Sequence, residues 1–291
     1  MTTLAIPAPR SWSIFEARAG QRLDEFLYAE LPEVSRHGIR RLIALGFVTV
    51  DGQARTAGYR LESGGNVRVP EGLERFSVAA EELDLTVLFE DESLIAIDKP
   101  SGMLAHPTSK ERTGTAVNAL MGRLGGARPH LLHRLDRGTS GVLLAAKTEN
   151  AAREFGAMFE SRQIAKRYLA LVAAEPDWNH LEVDTRIERY NDGRTPKWNT
   201  GESGSEALTK LTKLRGRLIQ AEPWTGRTNQ IRIHCASIGL PIVGDEAYGG
   251  PHAERLHLHA LELEFRSGRY AGLIIAASGN SIAQEMRYPD R

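Results

Sequence analysis

Residues 131–146 read LLHRLDRGTSGVLLAA, a charged turn followed directly by an unbroken apolar run. The run Val142–Ala146 is short and aliphatic, which predicts a buried β-strand. In the turn before it, Asp136 stands between Arg134 and Arg137, next to small residues that favour a tight bend. Such a carboxylate is either one half of a structural ion pair or an anchored catalytic acid. The Gly-Thr-Ser-Gly segment could also hold a phosphate, but it lacks the lysine and the spacing of a P-loop.

Around this turn, strand patterns outnumber helical ones. Few regular strand–helix–strand units occur from residue 85 onward, so we predict an α+β fold with a mixed, largely antiparallel sheet. Strands are predicted within 85–100 (a hairpin), 141–148, 166–174, 207–215, 216–224 and 255–265. Helices are predicted over 115–125 and 149–162, and 229–239 is expected to begin extended and turn helical.

The N-terminal residues show a different pattern, two short helices followed by a hairpin and a strand. The first helix is predicted over 22–30 and ends before Pro32, and Ser35 is placed to cap the second helix. The Asp-Gly pair at 51–52 predicts the hairpin turn. We therefore divide the chain into a small α+β module over 10–70, an acidic linker over 71–84 and a main domain over 85–291.

The charge of the chain is segregated. There are 37 basic and 37 acidic residues, and this zero net charge argues at first against a polyanionic partner. However, residues 35–70 hold six arginines against two acids, whereas residues 71–92 hold eight acids against one arginine. Arg36, Arg40 and Arg41 belong to the predicted second helix, on a face that is either solvated or a contact for phosphate groups.

Length and composition exclude several classes of protein. The 291 residues exceed one typical domain of roughly 100–200 residues, and 41% hydrophobic with 25% charged residues predicts a folded core. The longest apolar stretch, 271–277, is too short to cross a bilayer, and residues 1–10 lack the pattern of a secretory signal. A single cysteine excludes an internal disulfide. We therefore expect a cytoplasmic protein with neither a membrane nor a metal partner.

The N-terminal module carries a recognisable pattern. Its predicted second helix begins at Ser35-Arg36, and a strand then ends in the turn from Val48 to Gly52. This pattern resembles the RNA-binding module named after the fourth small-subunit ribosomal protein, in which a helical face contacts the phosphates of structured RNA. The resemblance implies that the three arginines of the second helix bind RNA.

Five segments of the main domain occur in the order and spacing of one enzyme family. They are 98–107 (DKPSGMLAHP), 131–141, 166–170 (KRYLA), 225–234 (TGRTNQIRIH), and 239–245 (GLPIVGD) with Tyr248-Gly249. Together they resemble the RluA-like pseudouridine synthases, which isomerise uridine to pseudouridine in ribosomal or transfer RNA. With the N-terminal module, the resemblance covers about residues 16 to 265. It implies the catalytic fold of that family and, because such a module is common in its ribosomal branch, large-subunit ribosomal RNA as the substrate.

The resemblance also implies roles for single residues. Asp136 would be the catalytic carboxylate, which either attacks the anomeric carbon of the sugar or removes a sugar proton to give a glycal. Tyr168 would stack on the uracil and act in the proton transfer from carbon 5, and Arg232 would pair with Asp136. Arg134 would take the place of the flipped base. The predicted substrate-binding residues of this domain are His133, Arg134 and Arg227.

Alternatives remain at this stage. A catalytically inactive RNA-binding or ribosome-assembly factor and a synthase acting on transfer RNA both fit the sequence. A glycoside hydrolase would need a second carboxylate in a matching context. Because substrate and product are isomers, we expect no cofactor and no metal, with RNA as the partner and a monomeric protein. Asn229 stands where the family usually has histidine, and we expect this departure to lie outside the catalytic set.

Overall fold

The computed structural model describes residues 9–31, 34, 36–69, 78–108, 110–191 and 196–278, which form two compact units. The first unit comprises the described residues up to 82 with 107–113 and 118–128, and the second comprises 83–106, 114–117 and those from 129 onward. We retain the domain boundaries predicted at 70 and 84 as a proposal. The predicted helix cap Ser35, the helix-ending Pro32 and residues 71–77 of the predicted linker lie outside the described residues.

The first unit combines a small antiparallel sheet with two helices. Its elements are β1 (Arg10–Ser13), α1 (Leu23–Glu30), α2 (Arg36–Ala44), β2 (Thr49–Val50), β3 (Gln53–Ala54) and β4 (Asn66–Val69). The strand order is β1-β4-β2-β3. Strand β1 was not predicted, because its four residues RSWS carry no apolar alternation. Asp51 and Gly52 join β2 to β3 with φ values of 52° and 76°, as an Asp-Gly hairpin turn requires.

The two helices cover the sheet through buried aliphatic side chains. Leu27 of α1 and Ile39 and Leu42 of α2 are buried in one cluster with Val67 of β4. Apolar residues three or four positions apart lie on one side of a helix, so this packing follows from the sequence pattern. Gly46, with a φ of 73°, follows α2 in the left-handed conformation that favours glycine at a helix C-terminus.

Residues 78–82, from the predicted acidic linker, belong to the first unit. Asn118 donates from Nδ2 to the carbonyl of Ala79 (2.7 Å), and the amide of Glu81 donates to the carbonyl of Asn118 (2.9 Å). A Cβ at Gly122 would come within 2.2 Å of the Glu81 carbonyl oxygen, so this close approach depends on glycine. Hydrogen bonds therefore hold this part of the stretch against other residues of its unit.

The second unit is built on a large sheet. The elements from residue 86 onward are β5 (Thr86–Glu90), β6 (Leu94–Lys99), α3 (Ala116–Arg123), β7 (His130–Leu131), β8 (Ser140–Ala146), α4 (Glu149–Glu160), β9 (Ile164–Leu171), β10 (His180–Asn191), β11 (Pro196–Thr200), β12 (Ser205–Arg215), β13 (Leu218–Pro223), α5 (Gln230–Ser237), β14 (Leu258–Phe265) and β15 (Ile274–Ala276). The strand order is β11-β10-β12-β13-β9-β14-β8-β6-β5, while β15 pairs with β14 and β7 with β8. Among the described strands, the β8–β14 pair alone is parallel. The predicted α+β class with a mixed, largely antiparallel sheet is confirmed.

Some elements differ from the sequence expectation. The pairing of β10 with β11 and the short strand β15 were not predicted. Helix α5 does not begin extended, because it is helical from Gln230 and is preceded by Asn229 with a left-handed φ of 56°. Ile231 and Ile233 alternate as in a strand, yet both are buried along the helix. Tertiary packing therefore overrides the local pattern here.

Strand β14 occupies the centre of the sheet between β8 and β9. Its parallel pairing with β8 brings Ala260 beside Gly141, where φ is 106° and a Cβ would lie 2.1 Å from the Ala260 carbonyl oxygen. Only glycine fits such an approach without displacing the strand. Helix α4 packs on the sheet through Phe155 and Met158. Within the described residues, no helix is long and apolar enough to span a membrane.

Candidate active site

A cavity of about 480 Å³ opens in the second unit where the turn before β8, strand β9, the end of β13 and helix α5 meet. Ligand pockets of proteins commonly have volumes of roughly 300–1,000 Å³. All six site residues predicted for this domain line the cavity: His133, Arg134, Asp136, Tyr168, Arg227 and Arg232. The structure therefore brings together residues that are almost 100 positions apart in the sequence.

The turn that carries Asp136 is tied to the segment after β6. The amide of Gly102 donates to the carbonyl of Arg137 (2.8 Å), and Ser101 Oγ donates to the carbonyl of Gly138 (2.7 Å). The amide of Thr139 donates to the carbonyl of Asp136 (3.1 Å) and closes the turn. The Asp136 side chain remains 23% exposed, so its carboxylate is accessible from the cavity while its backbone is held.

Lys99 holds the same turn through hydrogen bonds to backbone carbonyls. Its side chain is fully buried, and its ammonium donates to the carbonyls of Pro100 (2.9 Å), Met103 (2.8 Å) and Arg137 (3.3 Å). Burial lowers the pKa of Lys99 to about 8, against the opposing attraction of the Asp136 carboxylate. A buried cation thus links the two segments that flank the candidate carboxylate.

This lowered pKa predicts a pH-dependent stability. Near pH 8 the folded protein releases the Lys99 proton, whereas the unfolded chain keeps it up to about pH 10.5. The unfolded state therefore binds more protons in this interval, and the free energy of unfolding should rise with pH by up to about 1.4 kcal/mol per unit. Urea unfolding of wild type and Lys99→Met at several pH values measures the difference, with exposed Lys110→Met as the control. Parallel curves for wild type and Lys99→Met would contradict the prediction.

Arg232 joins two carboxylates. Its Nη1 lies 3.5 Å from Asp136 Oδ2, an ion pair longer than a good hydrogen bond. In contrast, Nε and Nη2 both donate to Asp245, each at 2.7 Å, in a bidentate pair. Although burial opposes it, this pairing holds the pKa of Arg232 above its usual range. Asp245 is 1% exposed, so Arg232 is anchored by a buried carboxylate and points a remaining nitrogen at Asp136.

Asp245 lies in one of the segments that resemble the family, but no role was predicted for it. Asn229 was predicted to lie outside the catalytic set, and this prediction was wrong. Asn229 Oδ1 accepts a hydrogen bond from Arg232 Nη1 (3.0 Å), while its Nδ2 donates to the hydroxyl of Tyr248 (2.9 Å). The Tyr248 ring lies under the guanidinium, with 4.9 Å between Arg232 Cζ and the ring centroid. Asn229 makes its contact with Arg232 from a left-handed backbone conformation. No local pattern in the sequence indicates this contact.

Tyr168 and Lys166 extend from β9 into the same cavity. Because side chains two positions apart point to one side of a strand, both face the cavity. Burial, and then the charge of Asp136, raise the pKa of the Tyr168 hydroxyl, so this hydroxyl is protonated at neutral pH. Burial lowers the pKa of Lys166, whose ammonium forms no ion pair with any residue in the described part of the chain. Lys166 was not predicted as a site residue.

The three predicted substrate-binding residues differ in their surroundings. His133 Nε2 accepts the amide of Leu144 (3.1 Å), and burial lowers the pKa of His133 to about 3, so the ring is neutral at physiological pH. Arg134 is exposed at the cavity. Arg227 is also exposed and donates from Nε to the carbonyl of Glu206 (3.0 Å). His133 therefore supports strand β8, whereas the two arginines present charge to solvent.

In the first unit, the three arginines of α2 are all exposed. The guanidinium of Arg36 lies 3.9 Å from the ring centroid of Tyr28, and Arg40 Nε lies 3.3 Å from Asp24 Oδ2. Asp24 also accepts a hydrogen bond from Arg22 (2.9 Å), so its single negative charge is shared between Arg22 and Arg40. The helix therefore presents a basic face, as predicted.

Comparison with known proteins decides the family of the chain. Residues 93–237 match the protein family described as RNA pseudouridylate synthase, and residues 21–67 match the S4 domain. An RNA pseudouridine synthase of Aquifex aeolicus is 37% identical over 245 residues, which cover 79% of this chain and 77% of that protein. The chain belongs to the RNA pseudouridylate synthase family. The predicted isomerase activity and RNA-binding module are thereby confirmed.

Two further relatives of this synthase have named substrates. Ribosomal large subunit pseudouridine synthase C of Vibrio cholerae is 34% identical, with 87% of each chain covered. Ribosomal large subunit pseudouridine synthase D of Nitrosomonas europaea is 35% identical, with 84% of this chain and 77% of that protein covered. Human RNA pseudouridylate synthase domain containing 1 shares the fold, with a TM-score of 0.56, 24% identity, and 73% of this chain and 98% of that chain covered.

Proposed function

We propose that this synthase isomerises uridines of large-subunit ribosomal RNA, with Asp136 as the reacting carboxylate. The observation that carries the proposal is the meeting of Asp136, Arg232 and Tyr168 in one cavity of about 480 Å³. The printed names of the Vibrio cholerae and Nitrosomonas europaea relatives support the choice of RNA. The basic face of α2 supports binding of a structured RNA.

Asp136 supplies the chemistry that breaks the N-glycosidic bond. Its carboxylate either attacks the anomeric carbon to form a sugar ester or removes a sugar proton to give a glycal, and the uracil leaves in both routes. The freed base rotates, and its carbon 5 bonds to the sugar as the ester bond to Asp136 breaks or the glycal takes back its proton. Carbon 5 then loses its own proton to water or to the regenerated carboxylate. Arg232, 3.5 Å from the carboxylate, places a positive charge beside it. Since the buried Asp245 fixes Arg232, this charge needs no reorganisation during the reaction.

Tyr168 offers the uracil an aromatic surface beside Asp136. The raised pKa of its hydroxyl makes the phenolate costly at neutral pH, which favours stacking and proton donation over a role as an anionic base. The base must leave its helix to reach this ring, because the reacting atoms are inaccessible in a stack. The exposed Arg134 is suited to fill the space that the base leaves.

The charges around the cavity fit a phosphodiester chain. Among the lining residues, five cations (Arg134, Arg162, Lys166, Arg227 and Arg232) stand against the carboxylates Asp136 and Glu160. Lys166 is the sharpest case, because a largely buried ammonium without a carboxylate partner in the described residues is stabilised by an arriving anion. We assign Lys166 and Arg227 to the backbone phosphates of the substrate.

Changing Arg36, Arg40 and Arg41 together to alanine should weaken RNA binding and flatten its salt dependence. Each lost phosphate contact reduces the steepness of the plot of log affinity against log salt by about 0.7–0.9. Modification should suffer more at low RNA concentration than at saturation. Binding to in vitro transcribed ribosomal RNA at several salt concentrations measures the slope. Arg186→Ala is the control, since this exposed arginine on β10 is paired with Glu206. An unchanged slope and affinity would show that the α2 face is merely solvated.

Mapping of pseudouridines in a deletion strain against its parent tests the substrate. We expect one or more uridines of large-subunit ribosomal RNA to stay unmodified in the deletion strain and to be restored by the wild-type protein but not by Asp136→Asn. If pseudouridine were lost from transfer RNA alone, transfer RNA would be the substrate instead of ribosomal RNA. Restoration by Asp136→Asn would overturn the assignment of the carboxylate.

A further inference from the structure

Trp224 presents a large aromatic surface to solvent at the edge of the cavity. It follows β13 directly, lines the cavity, and is 40% exposed. Its backbone is nevertheless held, since its amide donates to the carbonyl of Leu208 (2.8 Å). The next residue, Thr225, donates from Oγ1 to Gln230 Oε1 (2.6 Å) and accepts the amide of Leu208 (3.1 Å). The indole is therefore an open surface on a fixed support.

Two cations accompany this indole. Arg162 Cζ lies 5.2 Å and Lys210 Nζ 5.9 Å from the ring centroid. Lys210 is paired with Glu182 (2.9 Å), whereas Arg162 forms no ion pair with any residue the structure describes. An unpaired guanidinium beside an exposed indole combines the two groups that bind single-stranded nucleic acid, an aromatic plane and a positive charge.

Arg162 is also held in an unfavourable backbone conformation. It follows α4 with a φ of 61°, in the left-handed region where helix ends usually have glycine. A side chain there is disfavoured because its Cβ crowds the following carbonyl. Glycine would remove this crowding but also the guanidinium next to Trp224. The surrounding structure therefore holds the guanidinium in place against the local backbone preference, as is common at binding sites.

The location of Trp224 indicates what it binds. When a target uridine leaves its stack, the neighbouring base loses its stacking partner on one face. The uridine enters beside Asp136 and Tyr168, and Trp224 is an exposed aromatic plane lining the same cavity. A chain of nucleotides that reaches the carboxylate can therefore contact this edge.

We propose that Trp224 and Arg162 form a second RNA subsite, which stacks the base of one nucleotide adjacent to the target uridine. The indole supplies the stacking plane, and Arg162 supplies charge beside the phosphate of that nucleotide. The subsite rests on the proposed function, because it presumes that the uridine reacts at Asp136. It makes the synthase select targets whose neighbouring nucleotide can be unstacked.

Variants at Trp224 test the subsite. The substrate is in vitro transcribed large-subunit ribosomal RNA labelled with tritium at uracil carbon 5, and then a stem-loop centred on the uridine found modified in it. Trp224→Ala should raise KM about 5- to 150-fold, the range expected for loss of one base–aromatic stack, with kcat nearly unchanged. Trp224→Phe should retain most of the affinity. Tyr190→Ala, at a similarly exposed aromatic (42%) on β10 outside the cavity lining, is the matched control.

An abasic substrate separates stacking from a merely structural role. Stem-loops with an abasic ribose immediately before or after the target uridine are compared in wild type and Trp224→Ala. At one of the two positions, the abasic ribose should weaken wild type and remove the difference between the two proteins. An undiminished difference at both positions would overturn the subsite. A KM of Trp224→Ala equal to wild type would do the same, whereas failure of the wild-type protein to modify any of the RNA would count against the proposed function.

Discussion

Asp136→Asn should bind RNA nearly as tightly as the wild-type synthase and form no measurable pseudouridine. The substitution keeps the size of the side chain but removes the group that attacks the sugar or takes its proton. The rate should fall by at least about 10³-fold, within the range of losses seen when a catalytic carboxylate or base is removed. Stability should change little, because the Asp136 side chain is 23% exposed and its contact with Arg232 spans 3.5 Å. Tritium release from uracil carbon 5 measures the rate.

Glu160 provides the matched control for this variant. Among the described residues that line the cavity, it is the one carboxylate besides Asp136. Glu160→Gln should therefore keep turnover within about tenfold of wild type, since a single reacting carboxylate suffices in this mechanism. If Asp136→Asn retained turnover within that same margin, the assignment of Asp136 would be wrong. If both variants were inactive, a mechanism with two carboxylates would have to be considered instead.

Arg232→Met should damage both stability and catalysis. It leaves Asp245, 1% exposed, as an unpaired buried carboxylate, and such a loss costs about 3–5 kcal/mol of unfolding free energy. The rate should fall about 10²–10³-fold, as for removal of one preorganised charged donor. A loss of activity by this variant alone would not separate the two effects, because partial unfolding also lowers the rate.

The double variant Arg232→Met/Asp245→Asn separates them. It leaves no charge unpaired in the buried position, so most of the lost stability should return. Turnover should nevertheless stay low, because Asp136 still lacks the cation that lies 3.5 Å from its carboxylate in the wild-type protein. Arg232→Lys should recover part of the rate, since it restores the charge without the planar fork.

Recovery of turnover together with stability would give Arg232 a purely structural role. A defect confined to RNA binding, with kcat unchanged, would instead make it a phosphate contact. Asp136 would then need another cation, and Arg227 is a cavity-lining candidate that donates from Nε to the carbonyl of Glu206. Urea unfolding, KM and kcat of all three variants distinguish these outcomes.

The sequence predicted the parts of this site that lie within short motifs. Asp136 is held by its own turn, and Arg232 faces inward from a helix whose residues match one segment, so both could be recognised locally. The pairing of Arg232 with Asp245 could not, because it joins α5 to a turn after it through a contact that depends on the folded chain. The helical start of α5 was likewise hidden, since Ile231 and Ile233 alternate as in a strand while the buried Gln230 hydrogen-bonds to Leu208 and Thr209.

The position of β14 between β8 and β9 also governs when the site forms during synthesis. Residues Leu258–Phe265 separate β8, which follows Asp136, from β9, which carries Tyr168, and they pair with both. Ser140 meets His259 across this junction, a closure over more than 100 residues that is slow because the entropy of the loop is lost before the strands pair. A nascent chain that has not yet released β14 from the ribosome lacks the strand that binds β8 and β9 together. The site of this enzyme is thus completed only after β14 has been synthesised, well after Asp136 and Tyr168.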